Sequence, residues 1–486
     1  MNDSTSFARA VGRNTIVQFV GKILGTVVGL VTAAMILRYL HPAGNGAYTT
    51  AMAYLGIFSV IADLGLYLIL IRDVSKPGAN QEHIVGNLLA LRWVSAFLVL
   101  GAGAALVWIF HFTNAEKIAV LIGTGSFVAI AATQLLIGVF QSRLAMIYVT
   151  SAEFVGRLFL LGATWWVIHQ HGTLTGIMIA VVIGSAANFV LLWFLVRRFV
   201  KLSLRFDWVY WRQTLRDTFP VALSIVLNLI YFRADTIILR IYHSQYDVGL
   251  YGASYKILEI LNTFPIMFVG LILPVLGTAY ASNDHERFRR VFQRGFDLLL
   301  MAAIPMVIAG SILARPALVL LGQADYGAAA PVLRLLLIAV AALFLSSLSG
   351  HTITIINRQR QMVWTYLSVA ALGLAAYFLL IPKFSLYGAA TGTIITESLM
   401  AVVGYILILR VMHFRLRLNI MPKLLLSGGI MAVVLWWLQA SNVILAAIIG
   451  AAVYLAALLM TNTLSLTTAK EIFLSRGSTP TTLPPE

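Results

Sequence analysis

The sequence predicts an all-α integral membrane protein: about fourteen transmembrane helices, set as two pseudo-symmetric six-helix lobes followed by two further helices. Three observations predict it. Only 11% of the 486 residues are charged and 60% are hydrophobic, against roughly 25% charged in soluble domains. Apolar stretches near or above the ~18 residues that mark a membrane span recur from end to end. Short motifs also recur at equivalent places in two successive runs of six spans. "GAYTTA" (Gly46 to Ala51) opens the second span and "GLYGAS" (Gly249 to Ser254) the eighth, while "LTGIMIAVVIGS" opens the sixth and "LYGAATGTIITE" the twelfth. Six is even, so the two lobes share one orientation and are related by an axis along the membrane normal.

Taken in order, spans begin near Asn14, Ala47, Gly86, Ile118, Ser151 and Leu174, giving a first lobe over 1–200. The basic segment 201–217 follows. In it Leu204, Trp208, Trp211 and Leu215 form an apolar stripe at spacing 4, 3, 4, away from Arg205, Arg212 and Arg216, which predicts a helix lying on the membrane surface. A plain basic loop with interfacial tryptophans is the alternative. Spans beginning near Thr218, Tyr251, Val291, Val332, Met362 and Leu386 make the second lobe, 218–412. Two extra spans, starting near Met421 and Val443, occupy 421–462, and the Pro/Thr-rich tail 463–486 reads as cytoplasmic and disordered. No cleavable signal peptide is expected at the N-terminus, since its first apolar segment is too long for a signal core.

Orientation follows the distribution of Lys and Arg. With loops numbered alternately, one set holds five of the 34 (Arg38, Lys117, Arg240, Arg315 and Lys383), six lie within spans, and the remaining 23 fall in the set that includes both termini. Both termini are therefore expected in the cytoplasm, with the chain in the cytoplasmic membrane. The net charge of +16 is mostly this bias. Because the basic residues are spread over short loops, nucleic acid is not an expected partner.

Several chemistries are excluded or disfavoured. The chain has no cysteine, which removes disulfides, thiol catalysis and Cys-based metal sites. It has no Walker loop, no HExxH and no hydrophilic segment large enough for a catalytic domain. His169-x-His171 reads as a solvated loop. No catalytic residue, cofactor or metal is expected, and ATP-driven pumping would need a separate subunit.

A charge near the bilayer centre costs about 2.5–3.5 kcal/mol on insertion scales. Glu153 with Arg157, Lys256 with Glu259 and Arg294 with Asp297 stand at helical pairing distance, and Arg334 can snorkel outward. Lys22, Asp63, Arg92, Arg233, Asp235 and Glu397 have no opposite charge three or four residues away. Arg233 and Asp235 are two apart, on opposite sides of a helix, so each needs a partner elsewhere. Polar lines run along the first span of each lobe: Asn14, Gln18, Lys22 and Thr26 in one, Ser224, Asn228, Tyr231 and Asp235 in the other. They predict a wet cavity between the lobes; interhelical hydrogen bonding within each bundle is the alternative. Gly21, Gly25 and Gly29 give the first span a face for close helix approach, and Pro220, Pro265, Pro274 and Pro305 can kink helices.

The stretch "RYLHPAGNGAYTTAMAYLGIFSVIADLGLYLILIRDVSK" resembles the first spans of the polysaccharide-transporter (oligosaccharide flippase) family of the multidrug/oligosaccharidyl-lipid/polysaccharide exporter superfamily. Its R-x-L-x-P-x-x-x-G-x-Y turn is matched by Arg38, Leu40, Pro42, Gly46 and Tyr48, and its A-D-x-G-L motif by Ala62 to Leu66. Asp235 followed by "VGLYGASYK", then Pro274, "DYGAAAPVLRLL", "NRQRQ" and "IPKFSLYGAATGTIITE", extend the similarity over about Ala8 to Val411. One departure is His41, where members usually carry Gly before the Pro. The resemblance implies a cavity opening alternately to each side and a polyprenyl-pyrophosphate-linked oligosaccharide, of the kind used for O-antigen or exopolysaccharide, moved to the outer leaflet. An amphiphile with a sugar and a diphosphate needs a polar, partly cationic path. Asn14, Gln18, Lys22, Arg92, Arg157, Asn228, Arg233 and Lys256 are the candidate substrate contacts. Asp63, Asp235, Glu259 and Glu397 are candidates for ion coupling or gating, with H+ or Na+ as the ion. Membrane lipid and a glycan polymerase or export machinery are the other expected partners. A drug or cation exporter of the same superfamily is the alternative, and an integral membrane glycan polymerase or ligase a more distant one, since such enzymes generally work with a large external loop.

Overall fold

The computed structural model describes residues 2–463 apart from 77, 144 and 440–441, and the side chains of these except those of 2–20, 68, 219–232 and 359–360. Asn14, Gln18 and Asn228, and the tail 464–486, thus lie outside what is described. Among the described residues the α-helices are α1 (Asn2–Asp63), α2 (Leu66–Val74), α3 (Gln81–Leu106), α4 (Asn114–Ser142), α5 (Met146–His169), α6 (Leu174–Val196), α7 (Trp208–Tyr242), α8 (Gln245–Ala281), α9 (His285–Ile312), α10 (Ala314–Gly322), α11 (Ala330–Ile355), α12 (Gln359–Val411), α13 (Met421–Leu438) and α14 (Val443–Met460).

Eleven helical segments among the described residues are long and apolar enough to cross a bilayer. Two of these are double. α1 is broken at His41, which adopts φ 52°, ψ 175°, and α12 at Ser385, with φ 51°, ψ −130°. Each break leaves two arms of about the length a bilayer requires. With α7, 35 residues long, this gives about fourteen crossings among the described residues. In α1 the break has a local cause: Pro42 cannot donate to the preceding turn, and its fixed φ suits the first turn of the arm that follows.

A second break separates α1 from α2. Leu64 and Gly65 both have positive φ, and the helix resumes at Leu66. This is the A-D-x-G-L motif, with Gly supplying a conformation that side-chain-bearing residues resist.

Packing groups the chain into two units. The first comprises residues 1–260, 318–332 and 360–396, the second 261–317, 333–359 and 397–486. In the first, α2, α3, α4, α5 and α6 share a core that includes Leu70, Leu88, Val139, Phe140 and Leu192. The small-residue face of α1 meets α5 as its spacing predicts: a Cβ on Gly21 would fall 2.1 Å from Thr150 Cγ2. In the second unit, the two extra spans dock on α9. Gly428 of α13 lies against Ile304 and Ile308, and the Tyr454 hydroxyl of α14 donates to the Met301 carbonyl at 3.0 Å.

The surface helix expected over 201–217 takes another form. Residues 201–207 are not helical, and a single helix starts at Trp208 and continues unbroken to Tyr242. Two contacts explain this. Asp207 caps the helix start by accepting from the amides of Val209 and Tyr210. The preceding segment lies so close on α3 that a Cβ on Gly86 would come within 2.1 Å of the Ser203 carbonyl oxygen. Leu204 is thereby outside the helix, and Trp211, one of the four stripe residues, is buried with its indole donating to the Asn87 carbonyl at 3.1 Å.

Candidate functional site

The two charges of α7 find their partners on α8. Arg233 donates to Glu259 at 2.8 Å, and its guanidinium lies 5.8 Å from the centre of the Tyr255 ring. Lys256, one turn before Glu259, reaches the other oxygen of the same carboxylate at 3.0 Å. Two cations thus share one anion, leaving a part-exposed cluster with an excess positive charge. Asp235 lies elsewhere: it is 1% exposed and accepts from the Tyr251 hydroxyl at 2.5 Å and the Thr236 amide at 2.6 Å. Thr393 on α12 lies 3.5 Å from the same carboxylate, and the Tyr377 hydroxyl is 3.4 Å from Thr393. Hydroxyls and one amide drawn from α7, α8 and α12 thus surround a single carboxylate. It is closed from solvent in this conformation, so Asp235 does not face an open aqueous space here, as its place on the polar line had predicted.

Lys22 is exposed on α1, and among the described residues no carboxylate pairs with it. Arg157, expected to pair with Glu153 along α5, instead crosses to α1, where it donates to the Gly25 carbonyl and fills the groove over Gly25 and Gly29. Glycine permits this approach, since a Cβ at Gly29 would lie 3.1 Å from the guanidinium.

Arg92 is 1% exposed and its guanidinium is fully engaged. It meets Asp63 at 2.6 Å, Gln134 at 2.8 Å, and the carbonyls of Ala131 and Ala62 at 2.9 and 3.1 Å. Residues 29 positions apart in sequence neutralise each other, and together they hold the unwound turn between α1 and α2 against α3 and α4. Glu397 on α12 is buried, and among the described residues its Oε1 has no hydrogen-bond partner.

Sequence reasoning missed a set of contacts at the ends of the helices where Lys and Arg are scarce. Glu116 is 0% exposed and receives Arg240 of α7 on both oxygens, at 2.5 and 2.9 Å. The same carboxylate closes a capping box with Thr113 at the start of α4, and Gln245 donates to the Thr113 hydroxyl at 3.0 Å. Nearby, Gly46 and Gly249 mark a reciprocal backbone contact. A Cβ on Gly46 would lie 1.8 Å from the Gln245 carbonyl oxygen, and one on Gly249 would lie 1.8 Å from the Pro42 carbonyl oxygen. Asn45 donates to the Gly249 carbonyl at 2.9 Å. Arg38 donates to the Leu320 carbonyl at 2.5 Å and Tyr326 to the Leu37 carbonyl at 3.1 Å. The sequence signal was present in the Thr113-x-x-Glu116 cap and in the repeated glycines, but neither names its partner.

Residues 11–279 match the family described as polysaccharide biosynthesis protein, and residues 220–379 match the MatE family. No curated protein matches the chain in sequence. Among solved structures, the fold is similar to that of lipid II flippase MurJ in an inward closed conformation, with a TM-score of 0.73 at 15% identity, covering 91% of this chain and 98% of that one. It is also similar to an inward-facing multidrug resistance MATE family transporter of the MOP superfamily, with a TM-score of 0.64 at 14% identity over 82% of this chain and 98% of that one. A MOP superfamily transporter from Pyrococcus furiosus gives a TM-score of 0.61 at 14% identity, over 84% of this chain and 96% of that one.

Proposed function

Because the chain belongs to the polysaccharide biosynthesis protein family, we propose that it is a flippase, moving a polyprenyl-pyrophosphate-linked oligosaccharide from the cytoplasmic to the outer leaflet by alternating access. The lipid would carry an O-antigen, exopolysaccharide or similar repeat unit. The observation that carries the sign of the substrate is the Arg233–Glu259–Lys256 cluster. Two cations on one carboxylate within membrane-spanning helices, part-exposed, suit an anionic head group better than a cationic drug. Lys22, exposed on the first helix, is the second cationic contact. Arg92 is committed to Asp63 and Arg157 to the α1 backbone, so in this reading both hold helices in place while Lys22, Arg233 and Lys256 meet the diphosphate.

In the same reading, the helix ends poor in Lys and Arg face outward, both termini are cytoplasmic, and the membrane is the cytoplasmic one. The Glu116–Arg240 pair and the Gly46–Gly249 contact then form the closed outer gate. Asp235, with Tyr251, Thr393 and Tyr377, is the site for a coupling H+ or Na+. Lobes 1–200 and 218–412 are the parts that rock. The MatE match keeps a cation exporter as the second reading. Such a protein would need a binding surface with excess negative charge, the opposite of the α7–α8 cluster.

Export of glycan in a strain lacking its own flippase tests the reading. Lys22→Ala and Lys256→Ala should each reduce export at least tenfold at unchanged protein level, and Lys22→Arg should keep part of it, since the charge survives while its geometry changes. Wild-type export from both alanine variants would remove the cationic path from the mechanism.

A further inference from the structure

A basic cavity lies away from the α7–α8 cluster, at the edge of the first unit where the chain concentrates Lys and Arg. It has a volume of about 530 Å³ and is lined by the turn before α3 (residues 79–82) and by the segment that leaves α6 (residues 197–201). Arg197, Arg198 and Lys201 stand on one wall and Glu82 on the other. Among the described residues, no carboxylate pairs with any of the three cations. The walls are braced from below: Arg143 donates to the Phe199 carbonyl at 2.7 Å and to the Gln81 side chain, and its guanidinium lies 5.3 Å from the centre of the Phe199 ring. One half-buried arginine thus ties the two walls together.

The height of the cavity in the membrane is marked by aromatic rings. The Arg197 guanidinium lies 5.4 Å from the Trp193 ring and 5.6 Å from the Phe194 ring, at the last turn of a 23-residue apolar helix. Tryptophan at a span end sits at head-group level, and Arg stacked there places its charge among the lipid phosphates. A cavity with three cations and one carboxylate at this depth carries net positive charge where an acidic leaflet offers negative charge.

We infer that this cavity is a resident-lipid site that holds the phosphate-bearing head group of an anionic membrane lipid, separate from the transport path. The acyl chains extend beside Trp193 and Phe194, and the phosphate is met by Arg197, Arg198 and Lys201. Glu82 opposes the binding and limits its strength. The inference does not depend on the transported substrate.

The test uses the full-length protein in a neutral detergent, with dioctanoyl-phosphatidylglycerol, dioctanoyl-phosphatidylcholine and inorganic phosphate as probes. Thermal stabilisation and native mass spectrometry report binding. Phosphatidylglycerol should stabilise the wild type and remain bound, while phosphatidylcholine and phosphate at equal concentration should do neither. Each cation changed to Gln should weaken phosphatidylglycerol roughly fivefold, and Glu82→Gln should tighten it several-fold. The Glu82 variant keeps the inference open to refutation even where the triple Gln variant fails to fold. Equal stabilisation of the wild type and the triple variant, an unchanged affinity in Glu82→Gln, or a response to phosphate as large as that to the lipid would each overturn it.

Discussion

Gly46 and Gly249, equivalent residues of the two sequence repeats, pack against each other's helix starts in the same way. Each lies where a Cβ would be 1.8 Å from a backbone carbonyl, that of Gln245 for Gly46 and that of Pro42 for Gly249, and those two carbonyls belong to residues four positions before the glycines. A contact that repeats under exchange of the halves is the mark of a local two-fold axis. Backbone has nowhere to retreat to, so an added methyl at either position must part the two helix starts. Gly46→Ala and Gly249→Ala should therefore have the same effect, opening the proposed outer gate at a cost to the closed state of about 1–3 kcal/mol, the usual range for overpacking. The chain has no cysteine, so a single Cys at Thr50, one turn after Gly46 on the same helix face and 0% exposed in this closed state, can report the opening. Labelling by an impermeant reagent should rise in both variants by roughly five- to a hundredfold. A rise in only one of them would contradict the two-fold relation.

The Glu116–Arg240 pair should act on the same gate through charge. Glu116→Gln preserves the capping box, which accepts Gln as well as Glu, but leaves the Arg240 guanidinium without its carboxylate. Arg240→Lys keeps the charge and loses the two-pronged geometry. Glu116→Gln should shift the protein toward the outward-open state at least tenfold, and Arg240→Lys less. The same Cys label at Thr50 measures both. Equal labelling of Glu116→Gln and the wild type would show the pair to be incidental to closure.

His41 should be a site where stability can be gained. Its φ of 52° with ψ of 175° is a combination that side-chain-bearing residues avoid, at a cost of about 1–3 kcal/mol. His41→Gly should raise the melting temperature of the purified protein by a few degrees and leave transport intact. A fall in melting temperature would mean that the contact of His41 with Asp325, 3.9 Å apart, outweighs the backbone cost.

Asp235 should confer dependence on the coupling ion. Asp235→Asn keeps the shape and most of the hydrogen bonds but cannot take up a proton or balance a sodium ion. In proteoliposomes the variant should lose any stimulation by a pH or sodium gradient, and Tyr251→Phe should weaken it several-fold. Full gradient dependence in Asp235→Asn would move coupling to another group, with buried Glu397 the next to test.

Much of this was legible in the residues. Hydropathy and length give the spans, because the bilayer imposes a fixed length on apolar helices. The repeated Gly-x-Tyr motifs locate the two equivalent helix starts, and Gly21, Gly25 and Gly29 announce a tight helix contact. Spacing also shows that Arg233 and Asp235 do not pair with each other. What spacing does not give is the partner across helices. Arg233 with Glu259, Arg92 with Asp63 and Arg240 with Glu116 are separated by 26, 29 and 124 positions, and only the packing of helices brings them together. The same limit explains Arg157: a glutamate stood one turn away, yet the groove over two glycines offered its guanidinium a carbonyl. The stripe at Leu204, Trp208, Trp211 and Leu215 misled for a related reason. Helical periodicity was present, but Gly86 allowed the chain to lie extended on α3, and Asp207 set the helix start.

The central claim, that the chain moves an anionic lipid-linked glycan across a membrane, is tested most directly with purified protein in liposomes holding a fluorescent polyprenyl-diphosphate oligosaccharide. The account predicts protein-dependent exchange of the glycan between leaflets, slowed at least tenfold by Lys22→Ala and by Lys256→Ala, with no new glycosidic bond formed and no uptake of a cationic dye. Dye transport without glycan exchange, or lengthening of the glycan, would contradict it.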